Sequence, residues 1–126
     1  MRRVVIMILL AAAAVTVFAA GRLAPDRVEE RRAGRLYAIA VTIEDPAARP
    51  VTAAVRVERG AAVSVSVSGR MPQMGHVTPE VAARRGEDRF TATGALFGMS
   101  GVWELAVRVR GTDGEEVITV PVLVPA

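Results

Sequence analysis

From Leu36 to the C-terminus, large apolar residues recur at every second position, which is the period of a β-strand with one buried face. Tyr37, Ile39, Val41 and Ile43 share one side of a first predicted strand. Glu44 to Pro50, with prolines at both ends of a charged and small-residue run, predicts a turn. Val51, Ala53, Val55 and Val57 then face inward, against Thr52, Arg56 and Glu58 facing out. Ala62 to Ser68 is the cleanest alternation, with Val63, Val65 and Val67 on one side and three serines on the other. Gly69 is expected to end that strand. An irregular connection should follow as far as Gly86, with Thr78-Pro79-Glu80 as a cap and first helical turn. Arg89 to Leu96 predicts a strand with Phe90, Ala92, Gly94 and Leu96 on one face. After a turn or bulge at Gly98 to Gly101, Trp103, Leu105, Val107 and Val109 face inward. Gly111-Thr112-Asp113-Gly114 predicts a hairpin turn of the Asp-Gly kind. The last strand carries Ile118, Val120, Val122 and Val124 on one face, and Pro121 on the other predicts an edge position.

Strands at this spacing, without an amphipathic helix, predict an all-β fold: an immunoglobulin-like antiparallel β-sandwich of about six to seven strands. At 126 residues the chain is one domain's worth. The predicted division is 1–20 as a signal peptide or N-terminal membrane anchor, 21–35 as a charged linker, and 36–126 as the sandwich. Arg2 and Arg3 precede an uncharged run of 17 residues, Val4 to Ala20. That length falls between a signal-peptide core and the shortest transmembrane segment. Spacing favours cleavage after Ala19, where Val17 takes the −3 position, over retention as an anchor. Either outcome places the sandwich outside the cytoplasm, as a periplasmic or extracytoplasmic domain.

The formal charge of +3 invites a nucleic-acid reading, but the distribution argues against it. From Gly21 onwards there are 14 basic and 13 acidic residues, interspersed rather than gathered into a stripe. There are no cysteines, so disulfides, thiolate metal sites and a lipoprotein anchor are excluded. A serine triad would have to use the single histidine, His76, and no Gly-x-Ser-x-Gly elbow is present. Three-ligand hydrolytic zinc chemistry also starts poorly from one histidine. Enzymatic activity is therefore not expected.

The remaining chemistry sits in Met71-Pro72-Gln73-Met74-Gly75-His76. Thioether sulfur is soft and selects Cu(I), with imidazole as a suitable companion ligand. Met71, Met74 and His76 lie within six residues, stiffened by Pro72 and allowed a tight bend by Gly75. The bland alternative is that the methionines are flexible core fillers closing the end of a sandwich. Trp103 could cover a bound cation, but its parity with Leu105 and Val107 points it into the core.

The motif Met71-Pro72-x-Met74-x-His76, followed by Arg89-Phe90-Thr91-Ala92 and Met99-x-Gly101-x-Trp103-x-Leu105, resembles the YtkA-like family and its FixH-type relatives. The resemblance covers Leu36 to Val124. It implies a small extracytoplasmic β-sandwich linked to copper handling or to assembly of haem-copper oxidases. Met71, Met74, His76 and Met99 are its candidate copper ligands, and a membrane oxidase or copper-transport protein its candidate partner. The chain departs from the pattern in lacking a second histidine and in placing Phe97-Gly98 before Met99. The competing expectation is a non-metal interaction module that docks on a membrane protein through the same loop.

Overall fold

The alternation that begins at Tyr37 is realised as strands whose inward rows meet in one core. The computed structural model describes residues 26–126. The stretch Val4–Ala20, read as a leader, and the first part of the charged segment lie outside the described residues. The strands are β1 Val28–Ala33, β2 Ala38–Ile43, β3 Val51–Arg59, β4 Ala62–Met71, β5 His76–Val77, β6 Val81–Ala82, β7 Arg84–Arg85, β8 Phe90–Gly94, β9 Gly101–Gly111 and β10 Gly114–Val124. They form two antiparallel sheets, β1-β2-β3-β8-β7 and β10-β9-β4-β5, with β6 also paired to β4.

Every residue of the Tyr37, Trp103 and Ile118 rows is buried, as are Val51, Ala53, Val55, Val65 and Val67. The core is therefore built largely of valine, with Trp103 its bulkiest member. Phe97 packs on Trp103 at a ring-centroid distance of 5.6 Å and a tilt of 60°. Tilted aromatic pairs of this kind contribute ~0.5–1.5 kcal/mol beyond simple burial. Pro121 lies exposed on β10, the outer strand of its sheet, where its missing N–H costs no ladder bond.

Several expectations need correction. Val28–Ala33, taken with the charged linker, is an edge strand in continuous register with β2, from Val28↔Ile43 to Ala33↔Ala38. An edge strand can draw its stability from backbone bonds and charge pairs, so it needs no apolar alternation. Its own charges are matched by Arg32 with Glu30 at 3.5 Å and by Arg31 with Glu58 at 3.5 Å. Gly69 does not end β4. The carbonyl of Leu96 lies where a side chain at position 69 would begin, so glycine permits a close approach there and the strand runs on to Met71. Val63 is 61% exposed although its parity pointed inward. The register slips between Ala62 and Ser64 against β9, and the extra residue turns Val63 out.

The stretch from Thr78 to Glu80 forms no helical turn. Thr78 Oγ1 accepts the Gly69 N–H at 2.7 Å and reaches the Leu96 carbonyl at 3.2 Å, which holds the chain extended. The connection to β8 then pairs with β4 through β5 and β6 before crossing to the other sheet as β7. In the β9–β10 hairpin, Gly111 pairs with Gly114, so the two turn residues are Thr112 and Asp113. Gly114 alone takes the positive φ there, at 120°.

At this hairpin end the two sheets are joined by polar contacts. The Tyr37 hydroxyl donates to the Gly114 carbonyl at 2.8 Å. The Glu116 carboxylate accepts the backbone N–H groups of Arg35 at 2.8 Å, Leu36 at 3.1 Å and Tyr37 at 3.2 Å. Desolvation pushes the Glu116 carboxyl upward, but these three donors and the nearby Arg35 charge outweigh it and hold the group below the ordinary carboxylate range. A depressed folded value means this contribution is complete above the unfolded value and is lost as pH falls through the folded one. Stability should therefore decline on acidification from about 4.3 downward. Thermal unfolding across pH checks this: Glu116→Gln should lower the midpoint at pH 7 and flatten the acid decline. A variant with the parent's midpoint and acid profile would remove Glu116 from this role.

Candidate metal centre

The Met/His segment is a tight reversal. With β4 carried through to Met71, Pro72–Met74 form a single 3-10 turn with proline at its start. Gly75, in the left-handed region at φ 65° and ψ 16°, closes it by donating to the Pro72 carbonyl at 3.3 Å. The chain then returns along β4 as β5, with Met71 opposite His76 and Arg70 opposite Val77. Residues directly opposite in an antiparallel pair share a face of the sheet. Met71 and His76 therefore stand on the inward face, at the rim where that face opens to solvent.

The four predicted ligands occupy unequal positions. Met71 is only 5% exposed and belongs to the core, not to a loop. Its ε-methyl lies 2.8 Å from where a Cβ on Gly101 would sit, so it reaches across to the turn that carries Met99. Met99 is 41% exposed, and its carbonyl accepts the Trp103 indole N–H at 2.9 Å. That bond fixes the main chain of the turn and uses the polar tip of the buried tryptophan. Met74 is 59% exposed on the 3-10 turn, and His76 is exposed beside it. The fold thus brings the end of β4, the start of β5 and the 98–101 turn to one end of the molecule.

Two residues position this end in roles the sequence does not indicate, where Thr78 reads as a helix cap and Arg49 only as part of a turn. Thr78 ties the loop to Leu96, and Arg49 donates to the Gly98 carbonyl at 3.0 Å. A threonine before proline and an arginine in a charged turn carry no periodic signal, so only the folded contacts identify them.

Chemically this is a neutral, soft donor set of thioethers and one imidazole. Among the described residues no group of three or more His, Cys, Asp or Glu could hold a metal ion. A cation held at this end would rely on sulfur, which suits Cu(I) and suits Zn(II) or hard cations poorly. A cleft of about 410 Å³ flanks the turn, lined in part by Arg49, Phe97, Ser100 and Pro125. The larger cleft, about 590 Å³, lies on the outer face of the β1–β2–β3 sheet. Its four arginines are all engaged, Arg27 with Glu29 and Glu44, Arg31 with Glu58, and Arg56 and Arg89 with Asp88, which makes it a poor anion site. Comparison with family models, with curated proteins and with solved structures finds no match to this chain.

The unequal burial separates the methionines by their cost. Met71→Ala should destabilise the domain by ~2–5 kcal/mol in chemical denaturation, as for other buried large-to-small changes. Met74→Ala should stay within ~0.5 kcal/mol of the parent. Equal small effects would place Met71 outside the core.

Proposed function

We propose that this chain is an extracytoplasmic immunoglobulin-like domain that binds Cu(I) at its open end, as a copper carrier or as an assembly factor for a membrane oxidase or copper-transport protein. The strand order supports the fold assignment. β2-β3-β8-β7 facing β10-β9-β4-β5 follows the A-B-E-D and G-F-C-C′ arrangement of immunoglobulin domains, with β1 added at one edge. The tryptophan departs from the antibody pattern, since it lies on β9 and not on the strand equivalent to C.

The observation that carries the copper reading is the meeting of Met71 with both neighbouring elements. It pairs with His76 on one side and reaches Gly101, two residues from Met99, on the other. Convergence of the four candidates requires the loop and the turn to be neighbours, and this contact meets that requirement. His76 and Met71 would supply the inner ligands, with Met74 and Met99 closing from the rim. Thioether and imidazole ligands hold Cu(I) without the charge of thiolates, which fits a cargo that must be released to a partner. The likeness to YtkA-like and FixH-type domains points the same way.

Titration of the chain from Gly21 onwards with Cu(I), against a competing chelator, tests the reading. Cu(I) should bind far more tightly than Zn(II). The double substitution Met74→Ala with His76→Ala should weaken Cu(I) binding at least tenfold while leaving the fold intact, because both residues are exposed. If the double variant binds as tightly as the parent, or the parent binds no copper, the interaction-module reading replaces this one.

A further inference from the structure

Seven large apolar side chains are exposed among the described residues, and five of them, Met74, Val77, Met99, Val102 and Leu123, cluster toward the candidate-centre end. The register explains the grouping. Leu123 sits directly opposite Val102 on the outer face of the second sheet. The next outward row runs from Val77 through Arg70 and Glu104 to Pro121. Met74 and Met99 project from the turns just beyond. Toward the opposite end, around Thr112 and Asp113, the exposed large apolar residues among those described are Val63 and Val117 alone.

The same end is where the described chain begins. Val28 pairs with Ile43, Ile43 with Ala53, and Ala53 with Ala92, so the start of β1 lies at the same end of its sheet as the exit from β8 that leads to Met99. Seven residues, Gly21 to Arg27, separate the uncharged run Val4 to Ala20 from Val28. Seven extended residues span at most ~25 Å. β9 and β10 are eleven residues each, so the far hairpin lies ~35 Å along the strands from this rim. The tether is shorter than the domain, and it leaves from the apolar end.

We propose that this end rests against the lipid bilayer, with Val4–Ala20 retained as its anchor, so that Met74, Val77, Met99, Val102 and Leu123 meet the lipid interface. Local charge favours apolar contact over attraction to anionic headgroups. Arg27 pairs with Glu29 at 2.8 Å, Arg49 is engaged with Gly98, Arg70 stands opposite Glu104, and Glu44 and Asp45 lie in the β2–β3 turn at this end. Burial of exposed aliphatic side chains is favourable by ~25 cal/mol per Å², and the tether spares most of the cost of bringing the surfaces together. Residue spacing at the leader alone favours cleavage, whereas the folded end gives retention a structural purpose. Met74 and Met99 are shared with the proposed copper centre, but Val77, Val102 and Leu123 are not, so lipid contact at Val102 and Leu123 can be read apart from copper binding.

Because the chain has no cysteine, single spin labels can be placed without background. The full chain, including Met1, is reconstituted in phosphatidylcholine vesicles with a nitroxide at Leu123→Cys, at Val102→Cys or, as reference, at Asp113→Cys. Collision with oxygen, which partitions into lipid, is compared with collision with a water-soluble nickel chelate. The oxygen-to-nickel ratio should be several-fold higher at positions 123 and 102 than at 113. Equal ratios overturn the proposal. Protection of 123 and 102 from both agents also overturns it, in favour of a protein contact. Recovery from exporting cells of a chain beginning near Ala20 removes the tether and overturns it as well.

Discussion

The Glu116 carboxylate, gathering three consecutive backbone N–H groups from the opposite sheet, sets how the two halves of this molecule meet. A valine-rich core supplies cohesion without direction, because hydrophobic burial is largely indifferent to which methyl touches which. Orientation has to come from bonds with geometry. Glu116 and the Tyr37 hydroxyl provide it at the hairpin end, and Thr78, reaching Leu96, provides it at the other. With no cysteine in the chain, these polar ties take the place of cross-links. The Met/His turn keeps its position relative to the 98–101 turn because the second tie lies immediately beneath it.

Most of the sheet interior was legible because valine alternation and the core have the same cause. Where a strand has one buried face, period two must appear, and the Tyr37, Trp103 and Ile118 rows show it. What escaped obeys other rules. β1 is an edge strand of charged residues, two glutamates followed by two arginines, whose stability comes from its backbone ladder with β2, and hydropathy does not record ladder bonds. Val63 turned outward because it is the extra residue of a local slip against β9, while Val65 and Val67 keep their inward parity, and a pattern of identical valines and serines cannot display such a slip. Gly69 looked like a stop because glycine ends strands more often than it admits a neighbouring carbonyl.

The candidate centre was legible as a group of residue types but not as an arrangement. Met71, Met74 and His76 looked equivalent in sequence, as three donors on one loop. Folding separates them: Met71 continues the Val65–Val67 row into the core, and only Met74 and His76 stay on the surface. Met99 joins them because Trp103, anchored in the core, draws the preceding turn over the end of β4. No spacing rule contains that contact, since it joins positions about 30 residues apart through the packing of a third.

The proline in β10 has a consequence beyond its own strand. β10 is eleven residues long and pairs only with β9, so its free side would offer a long row of amide donors to any passing chain. Pro121 removes one of those donors near the middle of the row. It thereby spoils the template on which another polypeptide could extend the sheet. In a domain whose neighbouring strands are rich in bare valine, that single missing hydrogen guards against self-propagating aggregation.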